Sequence, residues 1–256
     1  MSNFSPEWLA LREPADASAR AEELLTTLRT SLTSEDLVVR DLGSGTGSMA
    51  RWLAPRLPAA RKWILTDRDP ALLEVAARSV PGAIPDLRDI TTLTAEDLSG
   101  TSLVTGSALL DLLTRAEVTS LAEACVGAGC PALFALSVVG RVELTPAEPL
   151  DEEFAAAFNV HQRRVVGGRA LLGPSAVPAM STAFIRLGAT VHRRPSVWRL
   201  GPDRRRLLEE WLRGWVSAAC EQNPALEAKA GEYLNRRLTQ DLRATVHHED
   251  LLALPS

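Results

Sequence analysis

The sequence predicts an α/β protein: a mostly parallel sheet with helices on both faces. Three observations carry that expectation. Short β-branched runs and longer amphipathic runs alternate five times over roughly residues 37–139, the pattern of parallel strands joined by crossover helices. The last of those strands, Pro131-Ala132-Leu133-Phe134-Ala135-Leu136-Ser137-Val138-Val139, is apolar almost throughout, as in a strand covered on both faces. The first strand opens into a glycine-rich turn and then a helix, the local arrangement that aims backbone amides at an anion or a nucleotide.

Taken in order, residues 14–32 are expected to be helical. Glu13-Pro14 marks the start, because proline suits the first helical position, and Leu24, Leu25 and Leu28 share one face. Residues 37–42 form the first strand, and 49–57 a helix stopped near Pro58. A second strand over 62–66 ends at Asp67. Asp69-Pro70 then caps a helix through about 80, the carboxylate accepting free amides of the first turn. Weaker strands are expected at 83–87 and 102–105, with a helix over 115–127. Beyond the apolar strand, helices are expected at 151–164 and 176–187 and strands at 189–198 and 244–251. Two arginine-rich amphipathic helices, 203–220 and 224–242, lie between those last strands.

Composition narrows the class of protein. The 256 residues are 46% apolar and 23% charged, enough to bury a core without covalent staples. A formal charge of −4 argues against a general nucleic-acid binder. Cys125, Cys130 and Cys220 make no Cys-x-x-Cys pair and are expected to be buried thiols. No apolar run reaches the ~18 residues of a membrane span, and the amino terminus lacks the pattern of a signal peptide, so a cytoplasmic location is expected.

The turn Asp41-Leu42-Gly43-Ser44-Gly45-Thr46-Gly47 carries the chemistry. Glycines let the chain bend sharply and approach a ligand, and Asp67 at the end of the next strand is placed to accept ribose hydroxyls. Dinucleotide sites favour Gly-x-Gly-x-x-Gly, whereas the spacing here is Gly-x-Gly-x-Gly. Asp41 immediately before the turn would repel a pyrophosphate but suits a ligand bearing a sulfonium and an ammonium. A carboxylate at this position favours S-adenosylmethionine.

On these residues the chain resembles the class I S-adenosylmethionine-dependent methyltransferases. The match takes in Asp41 to Gly47, Asp67, Arg88-Asp89-Ile90, and Ser107 after the fourth strand, in order over about the first 140 residues. The resemblance implies a Rossmann-like sheet of seven strands, the last antiparallel. It implies that Gly43, Ser44, Gly45 and Gly47 line the methionine part of the cofactor and that Asp67 holds the ribose. It further implies that Asp89 accepts the adenine amino group with Ile90 beside it, that Arg68 flanks the adenine, and that Ser107 borders the site. In such proteins an amino-terminal extension often closes over the cofactor, which would bring Arg12 or Arg20 to the methionine carboxylate. An Asp16–Arg20 pair at i, i+4 is equally consistent with a surface salt bridge.

The acceptor side is less legible. The Asn-Pro-Pro-Tyr and Asp-Pro-Pro-Tyr motifs of DNA and amide methylation are absent after the fourth strand, where the chain reads Thr105-Gly106-Ser107-Ala108-Leu109-Leu110-Asp111. Asp111 is a candidate catalytic group or the cap of the following helix. Phe154, Phe158 and His161 share a helix face, which makes His161 the candidate general base or a histidine packed at a helix end. His247-His248-Glu249-Asp250 looks like a metal site, but neighbouring strand residues point to opposite faces, so no metal is expected there. Arg204-Arg205-Arg206, with Trp211 and Trp215, reads as a solvated face over a core stripe.

The expected organisation is an amino-terminal helical extension or lid, 1–33, followed by a methyltransferase domain, 34–256, with inserts at about 141–174 and 202–242. The expected activity is methyl transfer to oxygen or nitrogen of a small metabolite. The alternatives are an RNA methyltransferase using Arg163, Arg164 and the late arginines, and a cofactor-binding protein without turnover. Monomer and homodimer both stay open.

Overall fold

The computed structural model describes residues 5–256. Its sheet runs β3-β2-β1-β4-β5-β9-β8, from β1 (Leu37–Leu42), β2 (Ala60–Asp67), β3 (Ala83–Leu87), β4 (Leu103–Ser107), β5 (Ala132–Thr145), β8 (Thr190–Leu200) and β9 (Arg243–Leu254). β1 to β5 pair in parallel, and β9 lies antiparallel between β5 and β8. The last strand is thus the reversed one, as expected. Register brings Leu42 level with Thr66 on one side and Gly106 on the other, so the carboxyl ends of β1, β2 and β4 form one edge.

Strand alternation splits the core into two layers. Leu133 and Ala135 of β5 and Leu252 of β9 join the layer under α1 (Pro6–Ala19), α2 (Glu23–Ser31), α3 (Ser48–Leu53), α6 (Pro149–Gln162) and α8 (Arg205–Gln222). Ala132, Phe134, Leu251 and Ala253 face the other layer, under α5 (Arg115–Gly127) and α7 (Ala176–Arg186). All three cysteines are buried and unpaired. Among the described residues no helix is long and apolar enough to cross a membrane.

Helix signals were strongest where a cap is written locally. Asp69 Oδ1 accepts from the amides of Ala71 (2.9 Å) and Leu72 (3.3 Å) and opens α4 (Pro70–Ser79). Thr114, in a reciprocal box with Glu117, opens α5.

Three expectations are corrected. The expected 14–32 helix is two helices: Ser5 caps α1, Pro6 takes the first position, and Pro14 sits inside the helix. The chain breaks at Arg20-Ala21, where the Ala21 amide is taken by the Asp250 carboxylate (2.8 Å). The strand expected to end at 139 continues to Thr145 because β9 pairs with it that far, so the insert expected from 141 begins only after Thr145. It then comprises α6 and a two-stranded hairpin, β6 (Val165–Val166) and β7 (Arg169–Ala170). The late helical pair, expected to join the amino-terminal helix and the insert in one lid, divides: α8 reaches the carboxyl edge of the sheet at Glu221, whereas α9 (Glu227–Thr239) braces α6 through Tyr233 and Arg237, both bonded to Asp151.

Candidate functional site

At the carboxyl edge of the sheet lies a cavity of about 890 Å³. One half is made of turns that follow β1, β2, β3 and β4, and the other of side chains from α1, α6, α8 and the β6–β7 hairpin.

The glycine-rich turn closes the first half. Gly43, Gly45 and Gly47 have φ of +59°, +54° and +86°, a region that penalises any side chain. At Gly43 and Gly47 space also runs out: a Cβ at Gly43 would stand 2.9 Å from Leu109, and one at Gly47 3.0 Å from Val80. The turn is tied to β2, since Ser44 donates to the Thr66 carbonyl (3.1 Å) and the Gly45 amide to Asp67 Oδ2 (2.8 Å). Asp67 Oδ1 accepts from the Asp69 amide (3.0 Å). The ribose candidate is therefore pre-oriented by two amides, and each oxygen keeps a second acceptor position for a hydroxyl.

Asp89 does two jobs. Its Oδ1 accepts from the Thr91 amide (2.9 Å) and hydroxyl (2.8 Å), capping the short turn 90–92, and the amide bond holds its carboxyl below the ordinary range. Its side chain also lines the cavity, beside Ile90 and an exposed Arg68. Ser44, Gly45, Gly43 and Ser107 line it too; Gly47 stands behind the turn.

Asp41 and Arg20 decide the electrostatics. Asp41 is 1% exposed; its Oδ1 accepts from the Thr105 hydroxyl (2.7 Å), and its Oδ2 has no partner among the described residues. Burial pushes its pKa up to about 6. Arg20 is 3% exposed and reaches Ser48 (3.3 Å) and Ser107 (3.2 Å), two cavity residues, through Nη2. Among the described residues its Nε and Nη1 have no partner. Leaving such donors and acceptors buried costs about 1–3 kcal/mol each, more when charged, so the pair is poised for something with complementary charges. Arg12 is otherwise engaged: Asp16 takes it in two bonds (3.0 and 3.2 Å) and also accepts from Trp198 Nε1 (3.0 Å). The i, i+4 pair of α1 is thus Arg12–Asp16, not Asp16–Arg20.

α1 lies over the turn. Leu9 comes within 3.3 Å of a Cβ placed on Gly45, and Glu13 pairs with Arg51 of α3 (2.8 Å).

In the second half, His161 lines the cavity. Arg164 Nη1 donates to its Nδ1 (3.3 Å) and carbonyl (3.0 Å), and Glu221 sits 3.0 Å from Nε2. A guanidinium only donates, so Nδ1 accepts and Nε2 carries the proton toward Glu221. Arg164 thus covers the ring nitrogen that carries the lone pair. Asp111 sits in the turn 110–112; Leu112 and Leu113 line the cavity and Asp111 does not. It does not cap α5 either, a role filled by Thr114. Burial raises its pKa, and Arg12 and Arg164 are close enough to oppose that rise.

Among the residues that sequence reasoning did not place here are Leu9, Leu109, Leu112, Leu113, Val166, Arg169, Leu171 and Glu221. Most are apolar positions whose periodicity reads as core. Elsewhere, Trp211 and Trp215 stack at 5.7 Å over the core, while Arg205 pairs with Glu209 and Arg237 is buried against Glu148 and Asp151. His248 is buried and His247 is not, as opposite strand faces require.

No family profile matches the chain, and no curated protein matches its sequence. Solved structures do. YcgJ from Bacillus subtilis aligns with a TM-score of 0.55 at 13% identity, over 92% of this chain and all of that one. The cyclopropane synthase MmaA2 from Mycobacterium tuberculosis aligns at 0.54 and 11%, over 98% and 95%. The plantazolicin methyltransferase BpumL, in complex with SAH (S-adenosylhomocysteine), aligns at 0.50 and 10%, over 98% and 88%. The chain has the class I methyltransferase fold. In that fold the glycine turn, Asp67 and Asp89 of this chain occupy the carboxyl edge next to the point where strand order reverses, between β1 and β4, the place where open α/β sheets take their ligands.

Proposed function

We propose that this protein is an S-adenosylmethionine-dependent methyltransferase acting on a small molecule. One observation carries the reading: among the described residues Asp41, in the cavity wall, keeps an unpartnered carboxylate oxygen, and Arg20, buried directly behind Ser48 and Ser107 of that wall, keeps two unpartnered guanidinium donors. That is the complement of an amino-acid head group, whose ammonium Asp41 would hold and whose carboxylate Arg20 would hold. A dinucleotide has no such head group. Asp67 would take the ribose, and Asp89, through its free oxygen, the adenine amino group with Arg68 and Ile90 beside it.

When bound, the cofactor supplies a methyl group already activated on sulfonium sulfur. The protein's task is therefore to hold an acceptor in line with it and keep water out. α1 bridges the two halves as a lid, fixed over the glycine turn by Leu9 and the Glu13–Arg51 pair, and α6 with the β6–β7 hairpin is the lid over the acceptor half. A volume of about 890 Å³ is near the upper end of small-molecule sites, which favours a second ligand, and so turnover, over a protein that only binds cofactor. For an acceptor that must lose a proton, His161 is the candidate base once Arg164 lets go of Nδ1, with Asp111 as the neighbouring carboxylate.

The test is calorimetry with SAH and, separately, NAD⁺. SAH should bind and NAD⁺ should not, and Arg20→Met should weaken SAH about tenfold or more, the worth of a charged hydrogen bond. No heat with SAH would overturn the reading.

A further inference from the structure

Five guanidinium groups line the cavity: Arg68 and Arg88 stand by Asp89 in the cofactor half, and of the three in the acceptor half all but one are neutralised. Arg12 is held by Asp16. Arg169 is held by Glu117 (2.8 and 2.7 Å) and the Leu112 carbonyl (3.1 Å). Arg20 stands deeper, beside Asp41, and belongs to the cofactor half. Arg164 differs. It is half-buried, lines the cavity, and among the described residues has no carboxylate within ion-pair distance. Asp111 lies within charge reach of it but makes no ion pair with it.

The way Arg164 is fixed shows which edge it offers. Its Nη1 is spent on His161, whose ring is in turn steadied by Glu221. That leaves Nε and Nη2, the side-on pair of parallel donors, free among the described residues. This edge matches the two oxygens of a carboxylate, and a guanidinium drawn partly out of water without a counter-ion is costly unless a ligand supplies one. The neighbouring wall is apolar. The Leu171 amide bonds the Arg164 carbonyl (3.2 Å), and Leu171, Leu109, Leu113 and Val166 all face the same cavity. A single uncompensated positive charge suits a monoanion; a phosphate dianion would need a second free cation, and Arg12 and Arg169 are both committed.

We propose that the methyl acceptor is a small carboxylic acid with an apolar body, its carboxylate gripped side-on by Arg164 and its body laid against Leu109, Leu113, Leu171 and Val166. The proposal rests on the methyltransferase reading, and the test separates the two. Wild-type protein and Arg164→Met are first titrated with SAH; if wild type does not bind it, the methyltransferase reading fails and not this one. The SAH-loaded proteins are then titrated with matched pairs of small aromatic and aliphatic carboxylic acids and their primary amides, together with phenyl phosphate. At least one acid should bind wild type about tenfold or more tightly than its amide. Arg164→Met should lose that preference while still taking SAH, and Arg164→Lys, which keeps the charge but not the fork, should fall between them. The proposal is overturned if no acid outbinds its amide, if Arg164→Met keeps the preference, or if phenyl phosphate binds more tightly than every acid.

Discussion

The two halves of the cavity are built in different ways. The cofactor half is mostly backbone: glycines at positive φ, amides of Gly45 and Asp69 on Asp67, and an amide of Thr91 on Asp89, all within a few residues of strand ends. The acceptor half is side chain on side chain, with Arg164 held by His161, His161 by Glu221, and Arg169 by Glu117 fifty-two positions away. A backbone cradle is fixed once the sheet forms, because its groups belong to the turns themselves. A side-chain cradle can be rebuilt by substitution without disturbing the fold, which is how one architecture comes to serve different acceptors. The difference predicts that damage to the first half should be structural as well as functional, and damage to the second selective.

The largest effect is expected at Asp67. Asp67→Ala strips two amides of a charged acceptor and removes the ribose contacts, so SAH affinity should fall about a hundredfold or more. The same change should lower thermal stability by about 2 kcal/mol, read by calorimetric melting. Loss of affinity with no loss of stability would mean that the cradle is not as backbone-built as the hydrogen bonds imply.

A pH effect of about tenfold comes next. Asp41, pushed from 3.8 up to about 6 by burial, binds its proton more tightly folded than unfolded. Its contribution to the stability of the free protein is therefore greatest below about pH 4 and is lost as pH rises through 6. Cofactor binding runs the other way, since an ammonium needs the ionised carboxylate that Arg20 beside it also favours. At pH 5 only about a tenth of a group with pKa near 6 is ionised, so SAH should bind about tenfold more weakly than at pH 7.5. Asp41→Asn should bind weakly and nearly independently of pH over that span. A wild-type profile as flat as that of Asp41→Asn would remove Asp41 from the cofactor's head group.

The same contrast explains what the sequence made legible. Gly43 to Gly47 and Asp67 are readable because each is a local signal, glycines in a turn and a carboxylate at a strand end, whereas Asp89 was reachable only through the family resemblance. The reversed last strand was reachable through the family resemblance. The break at Arg20-Ala21 was not, because it is imposed by Asp250, 229 positions away, and the extension of β5 depends on pairing with β9. Arg163 and Arg164 are adjacent and alike in sequence, yet Arg163 is exposed, bonded to the Asn159 carbonyl, while Arg164 turns inward. Only the end of α6 at Gln162 and the hairpin after it separate their directions, and no periodicity encodes that.

The smallest effect, and the most selective, concerns His161. If its role is to hold Arg164, its Nδ1 needs only to accept a hydrogen bond and its Nε2 only to donate one. A glutamine amide can do both; a leucine can do neither. His161→Leu should therefore weaken carboxylate binding to the SAH-loaded protein about threefold to tenfold, with SAH affinity unchanged, and His161→Gln should recover most of that loss. A general base makes the opposite demand, since glutamine cannot take up a proton and would be as impaired as leucine in turnover while both bind the acid normally. Carboxylate titrations of the two variants thus distinguish a histidine that positions from one that reacts, and equal binding by wild type and His161→Leu would leave Arg164 without its anchor and the acceptor half organised by some other contact.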